Sequence, residues 1–207
     1  GASRPYDMLK RQVRHFCAIR ETDPPAIIHE RLETLIGAYP SALHQRMHRV
    51  FGFLLGDGSG AEFQTDAGAF QRELRSVLEQ MAQVQASQGP VVYVIDDVHW
   101  GDVASLEALR AMLPLVARWP VLFLFAMRPD WNTPGWQLYL EAQLEYPEYC
   151  ASIYLEPLSS GDSRTLVGEL LGQAEVPDAV CDLIQRKAEG NPFFVEETVR
   201  TLLDLSL

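Results

Sequence analysis

Apolar residues recur at helical spacing through the first 88 positions of the chain. Pro5 opens a first helix with Tyr6, Leu9, Val13 and Phe16 on one face. Pro24-Pro25 opens a second, with Ile28, Leu32, Leu35 and Ile36 inward and Gly37 as its stop. Ser41 caps a third that runs to about Leu55. A fourth spans Asp66 to Gln88, with Phe70, Leu74, Val77, Leu78 and Met81 at helical spacing.

The texture then changes. Gly89-Pro90 breaks the helix, and Val91-Val92-Tyr93-Val94-Ile95 follows without polar alternation. Such a run predicts a strand of a parallel sheet, buried on both faces. Asp102 caps a helix that runs to Arg118, kinked at Pro114. Val121–Met127 reads as a second buried strand, Trp136–Tyr146 as a helix and Ser152–Leu155 as a third strand. Strand, helix, strand, helix, strand is an α/β core with right-handed crossovers. Beyond Pro157 the pattern is all-helical: Ser160–Leu171, Pro177–Ala188 and Phe193–Leu205. The expected divisions are a helical segment over 1–89, the α/β core over 90–158 and a helical segment over 159–207.

Composition narrows the function classes. Of 207 residues, 47% are hydrophobic and 22% charged, which is globular rather than disordered. The net charge is −11, with 8 basic and 5 acidic side chains in residues 1–50 against 9 and 23 in the rest. That balance argues against nucleic acid or an anionic membrane as the main partner. No apolar run reaches the roughly 18 residues of a membrane span, and no secretory signal is visible at Gly1. Cys17, Cys150 and Cys181 are widely spaced and read as buried free thiols, which suits a reducing cytoplasm. His44 and His48 share a helix face with no carboxylate between them, which reads as a solvated face rather than a metal site. Lys10 and Lys187 are the only lysines, and neither stands in a G-K-[ST]. The sequence therefore holds no Walker A phosphate loop, and Gly56–Gly60 reads as a plain loop between helices.

Candidate chemistry starts where the first strand ends, at Asp96-Asp97. Ligands of open α/β sheets bind at the C-terminal ends of the strands. One acid there can hold Mg²⁺, and a second can orient or deprotonate a water; alternatively both only cap the loop. The second strand ends at Met127-Arg128-Pro129-Asp130. If the two strands are neighbours, Arg128 emerges beside the acids. There it either reaches a γ-phosphate or forms a structural ion pair with Asp97 or Asp130.

These residues carry a resemblance. Val91–Asp102, VVYVIDDVHWGD, with Ser105-Leu106 behind it, resembles the Walker B strand and following turn of STAND-class P-loop NTPases, AAA+-related signal-transduction ATPases. Arg128-Pro129 is similar to their sensor arginine, Leu155–Ser159 to the junction into the lid, and Glu189–Glu197 to the lid segment EGNPFFVEE. Arg4–Leu9 resembles the segment after strand two in modules fused to adenylate or guanylate cyclase domains or to large transcription regulators. The resemblance implies a truncated P-loop NTPase core of parallel strands, with an N-terminal helical segment and a C-terminal helical lid.

It implies roles as well. Asp96 is then the Mg²⁺ acid, Asp97 the water-activating acid and Arg128 the γ-phosphate reader. Pro192, with Asn191, lies near the adenine, while His99 and Trp100 brace the turn. As a residue, Trp100 reads as a core aromatic and Asp102 as an N-cap. The expected ligands are ATP and Mg²⁺ in an intact parent, with other domains of the same chain as partners. The Walker A loop and strands one and two are expected to precede residue 1, so the chain reads as a central piece that is itself inactive. The alternative is a non-catalytic interaction module with relic motifs. In the order 5-1-4-3-2 of this class, Ser152–Leu155 loses its neighbour. The gap next to Val121–Met127 is then closed by that segment or by self-association through the exposed sheet edge.

Overall fold

The structure, a computed structural model, describes residues 4–172 and 177–204. The chain divides into two compact units, Gly1–Ala151 and Ser152–Leu207.

The first unit begins with four helices: α1 (Asp7–Phe16), α2 (Pro25–Gly37), α3 (Ser41–Leu55) and α4 (Ala67–Gln88). Their apolar stripes meet in one core, in which Leu32, Ile36, Met47, Val50, Phe51, Phe70, Leu74 and Val77 are closed to water. The expected inward face of α1 needs one correction. Phe16 is exposed at the helix end, and Met8 is buried instead, against the sheet cluster. His44 and His48 also depart from expectation. Because α2 packs across α3, both are half-buried: His44 Nε2 meets the Tyr39 carbonyl oxygen at 2.7 Å, and His48 Nε2 lies 3.2 Å from Glu33 Oε1. Of the thiols, all free, only Cys181 is buried; Cys17 and Cys150 are half-buried.

Next come β1 (Val91–Ile95), α5 (Val103–Met112), β2 (Val121–Phe125) and α6 (Pro134–Glu145). The strands pair in parallel, Val91 opposite Val121 through Ile95 opposite Phe125. The kink expected at Pro114 is a change of helix type: α5 ends at Met112 and Leu113–Ala117 is a 3₁₀ turn. Proline has no N–H to give the carbonyl four residues back, so the α-helix stops there. Tyr93 and Phe123 stack with ring centroids 5.4 Å apart, and Ile95, Leu106, Leu109, Leu113 and Leu138 join them in a second core.

Two expectations about the sheet fail. The strands are not buried on both faces. Val92, Val94, Leu122 and Leu124 point away from the helices and are 51–60% exposed. A sheet of this chain covers only the face on which its own helices pack. Nor is Ser152–Leu155 a strand: among the described residues the sheet has two strands, and Ile153 and Leu155 are exposed. Strand composition alone does not make a strand.

The second unit contains α7 (Ser160–Leu171), α8 (Asp178–Ala188) and α9 (Pro192–Asp204), around Val167, Ile184, Ala188, Val195 and Val199. The expected helix limit at Leu205 lies outside the described residues.

Candidate functional site

Parallel pairing in this register sends both strands out at one sheet edge, and that edge gathers the candidate residues. The ladder carries on past the strands, with Ala126 N–H donating to Ile95 O (3.0 Å) and Val98 N–H to Ala126 O (3.1 Å). Asp96, Asp97 and Arg128 therefore leave the sheet side by side, as the neighbouring-strand argument requires.

The acid pair has a definite geometry. Asp97 adopts the left-handed region, φ 55 and ψ 36, which reverses the chain into the 3₁₀ turn Val98–Trp100. A non-glycine residue is held there at a cost, and Asp is among the types that tolerate it. Asp96 Oδ1 accepts the Asp97 N–H at 2.7 Å, and both acids are exposed. Neither expected structural ion pair of Arg128 forms among the described residues, with Asp97 or with Asp130; its side chain is exposed.

His99 ties the two strand ends together. Its ring is buried, and Nδ1 accepts the Arg128 backbone N–H at 3.4 Å. That fixes the tautomer with the proton on Nε2, which faces Asp97 Oδ1 at 3.8 Å and has no hydrogen-bond partner. The ring braces the turn and touches both the acid loop and the arginine strand. Trp100, expected in the core, is 68% exposed, because the 3₁₀ turn points it outward while Val98 fills the core position. Gly135, at the start of α6, lets that helix lie against the turn, since a Cβ there would stand 2.5 Å from Val98 O.

Asp102 caps α5 as expected, with its carboxylate accepting the Ser105 N–H at 2.9 Å. It also does something the sequence did not announce. Oδ1 accepts the Tyr6 N–H at 2.7 Å and Oδ2 the Met8 N–H at 3.1 Å, while Ser105 Oγ accepts the Leu9 N–H at 3.2 Å. The first turn of α1 has no cap from its own neighbourhood, and these two side chains supply one from 96 residues away. Burial acts to raise the Asp102 pKa. Hydrogen bonds from the Ser105 hydroxyl and from the Met8, Ser105 and Tyr6 N–H groups outweigh it, and the carboxyl lies below its ordinary value. The available signal was negative: no Ser, Thr, Asp or Asn stands just before Asp7 to cap the helix.

Asn191 and Pro192 belong to the second unit. Asn191 Oδ1 accepts the Phe193 N–H at 3.0 Å, and Pro192 is the first residue of α9, so both start that helix. Both are exposed. Gly190, with φ 76, pins this corner to the segment before α7. The Leu158 N–H donates to Gly190 O at 2.7 Å, and a Cβ on Gly190 would meet Leu158 O at the same distance.

Comparison with known proteins shows the family of the chain. Residues 2–124 match the AAA ATPase domain family, and the chain belongs to that family. It is an AAA+-related, P-loop ATPase-like module. Residues 159–207 match a domain of unknown function (DUF8739). An uncharacterized protein of Rhizobium meliloti (strain 1021) is 28% identical over 152 residues, covering 72% of this chain. The chain spans only 14% of that relative's length. No solved structure matches. Among the described residues no helix is long and apolar enough to cross a membrane.

Proposed function

We propose that the chain is the central part of a STAND-type signal-transduction ATPase, whose nucleotide state switches an attached output domain such as a nucleotide cyclase. The observation that carries this reading is the shared edge of β1 and β2, where two exposed acids, a buried histidine and an exposed arginine converge in a member of the AAA ATPase family. The residues suit Mg²⁺ and a nucleoside triphosphate in part. Hard carboxylate oxygens with open lone pairs are what Mg²⁺ takes, and Arg128 is an unpaired guanidinium among the described residues. The lysine and glycine cradle for the phosphates has no candidate in this sequence, so it belongs to another segment of the parent.

In this reading Asp96 holds the metal, directly or through water. Asp97, whose side chain is exposed, accepts a proton from the attacking water. The His99 Nε2–H stands 3.8 Å from that carboxylate, and Arg128 meets the charge that builds on the terminal phosphate. Mg·ATP supplies the phosphoryl group and the neutralising charge. Asn191 and Pro192 contact the adenine and carry the lid with them when nucleotide state changes.

The exposed apolar face of Val92, Val94, Leu122 and Leu124 supports the placement of this core within a larger fold. The same face favours one rival, an interaction module that docks a partner there without turnover. Both are tested in the full-length parent. Asp97→Asn is expected to keep nucleotide binding and lose turnover by on the order of a hundredfold or more. Asp96→Asn is expected to weaken Mg²⁺-dependent binding as well. Small and equal effects at both positions would return the acids to a structural role, and a parent that neither binds nor turns over ATP would favour the docking module.

A further inference from the structure

A second cluster of polar side chains lies in the helical part of the first unit, well separated in sequence from the acid pair. His29 and Glu33 stand four apart on α2 and share a face. His48 reaches the same point from α3. Glu33 Oε1 lies 3.3 Å from His29 Nε2 and 3.2 Å from His48 Nε2, and one ligand atom from each of the three is within 4.8 Å of the other two. The imidazoles stack with centroids 5.8 Å apart. Two ligand atoms sharing one zinc at bond lengths of about 2.0–2.1 Å and a tetrahedral angle stand about 3.3 Å apart. The carboxylate–imidazole separations match that edge.

A second observation points to a ligand independently. The Asp57 side chain is 2% exposed, and its Oδ2 is buried without a hydrogen-bond partner. That oxygen faces Nδ1 of His29 at 3.8 Å, on the far side of the ring from Glu33. The loop is built to put it there. Gly56, Gly58 and Gly60 all take positive φ, and Gly52 leaves space for the carboxylate, since a Cβ would lie 2.3 Å from Asp57 Oδ1. Oδ1 is occupied by the Ser59 N–H at 2.8 Å, which leaves Oδ2 for the histidine. A buried carboxylate behind one imidazole nitrogen fixes the tautomer and leaves the other nitrogen free to coordinate. This is how metal-binding histidines are oriented.

We propose that His29 Nε2, His48 Nε2 and a Glu33 carboxylate oxygen form a binding site for a divalent transition-metal ion of the zinc type. Asp57 orients His29 from behind. Two imidazoles and one carboxylate are a borderline donor set that favours Zn²⁺ over Mg²⁺ or Ca²⁺. His29 and Glu33 are more than half exposed, so the fourth position opens to solvent and takes a water. The ion links α2, α3 and the loop after α3. The acid and the second imidazole beside His48 come from the neighbouring helix, and His44 is engaged with Tyr39 O.

The test is calorimetric titration of Zn²⁺ into the 207-residue chain, with Co²⁺ absorption as a second readout. One equivalent should bind saturably, and bound Co²⁺ should give the intense visible bands of a four-coordinate ion. His29→Gln and His48→Gln should each weaken binding by roughly a hundredfold, and Asp57→Asn by about tenfold to a hundredfold. His44→Gln should bind as the parent chain does. Far-ultraviolet circular dichroism confirms folding of each variant, and because His29 sits at an exposed position its variant keeps the test decisive if His48→Gln misfolds. Three results would overturn the proposal: no saturable heat, weak six-coordinate Co²⁺ bands, or an affinity in the His29→Gln and His48→Gln variants equal to that of the unsubstituted chain.

Discussion

Asp102 holds the start of α1 onto the turn that follows the acid pair, and removing it gives the sharpest test of that junction. Asp102→Ala takes away four hydrogen bonds at once, from the Tyr6, Met8 and Ser105 N–H groups and the Ser105 hydroxyl. Loss of the α5 cap alone costs about 1 kcal/mol. The Met8 N–H is buried, and stranding it adds about 1–3 kcal/mol. The Tyr6 N–H is only partly buried and finds water more readily, so it adds less. The expected loss is about 3–5 kcal/mol. Asp102→Asn keeps one carbonyl oxygen but turns an NH₂ toward a second donor, and should cost about half as much. Urea unfolding followed by tryptophan fluorescence reads this well, since Trp100, Trp119, Trp131 and Trp136 all lie in the first unit. With a slope of about 2 kcal/mol/M, the Ala variant's midpoint should fall by roughly 1.5–2.5 M. There is also a pH signature. The folded Asp102 carboxyl lies below its ordinary value of 3.8, so its stabilisation is present above that value and lost as pH falls through the depressed folded pKa. The gap between the parent chain and Asp102→Asn should therefore narrow in acid. A loss below about 1 kcal/mol for the Ala variant would refute the remote cap, because it would mean that these N–H groups are served by water.

Two further outcomes are expected. Gly135→Ala places a methyl group 2.5 Å from Val98 O and 3.1 Å from His99 N, so α6 must shift away from the turn. A stability loss of about 1–3 kcal/mol should appear as a melting temperature lower by several degrees, and an unchanged melt would mean that α6 does not pack there. Burial, with the nearby Tyr39 phenol adding to it, pushes the Tyr93 pKa up to about 12, and its hydroxyl donates to Gln85 Oε1 at 2.5 Å. In an ultraviolet titration the Tyr93 phenol should ionise late, with the stabilisation present below the ordinary value of 10.0 and lost between there and about 12. Tyrosines that all ionise together near pH 10 would contradict this burial.

Much of this molecule is local and therefore legible in the sequence. The stripes of α2 and α4, the extent of α3, the β-branched run of β1, the cap at Asp102 and a disturbance of the helix at Pro114 follow from period, propensity and a missing N–H, although the helix expected to run to Arg118 ends at Met112. The shared edge of Asp96, Asp97 and Arg128 was also within reach, because an apolar strand, a crossover helix and a second apolar strand favour parallel neighbours. Burial of a sheet face was not. Apolar composition says what a face prefers, and only packing says which face the available helices cover, so Val92 and Leu124 are exposed while Tyr93 and Phe123 are partly buried. Ser152–Leu155 has strand composition, but composition alone does not form a ladder, and no strand is present there. The remote cap of α1 and the meeting of His29, Glu33 and His48 join side chains from separate elements. Their spacing in the chain carries no period, and only the packing of α2 on α3 and of α1 on the turn brings them within bonding distance.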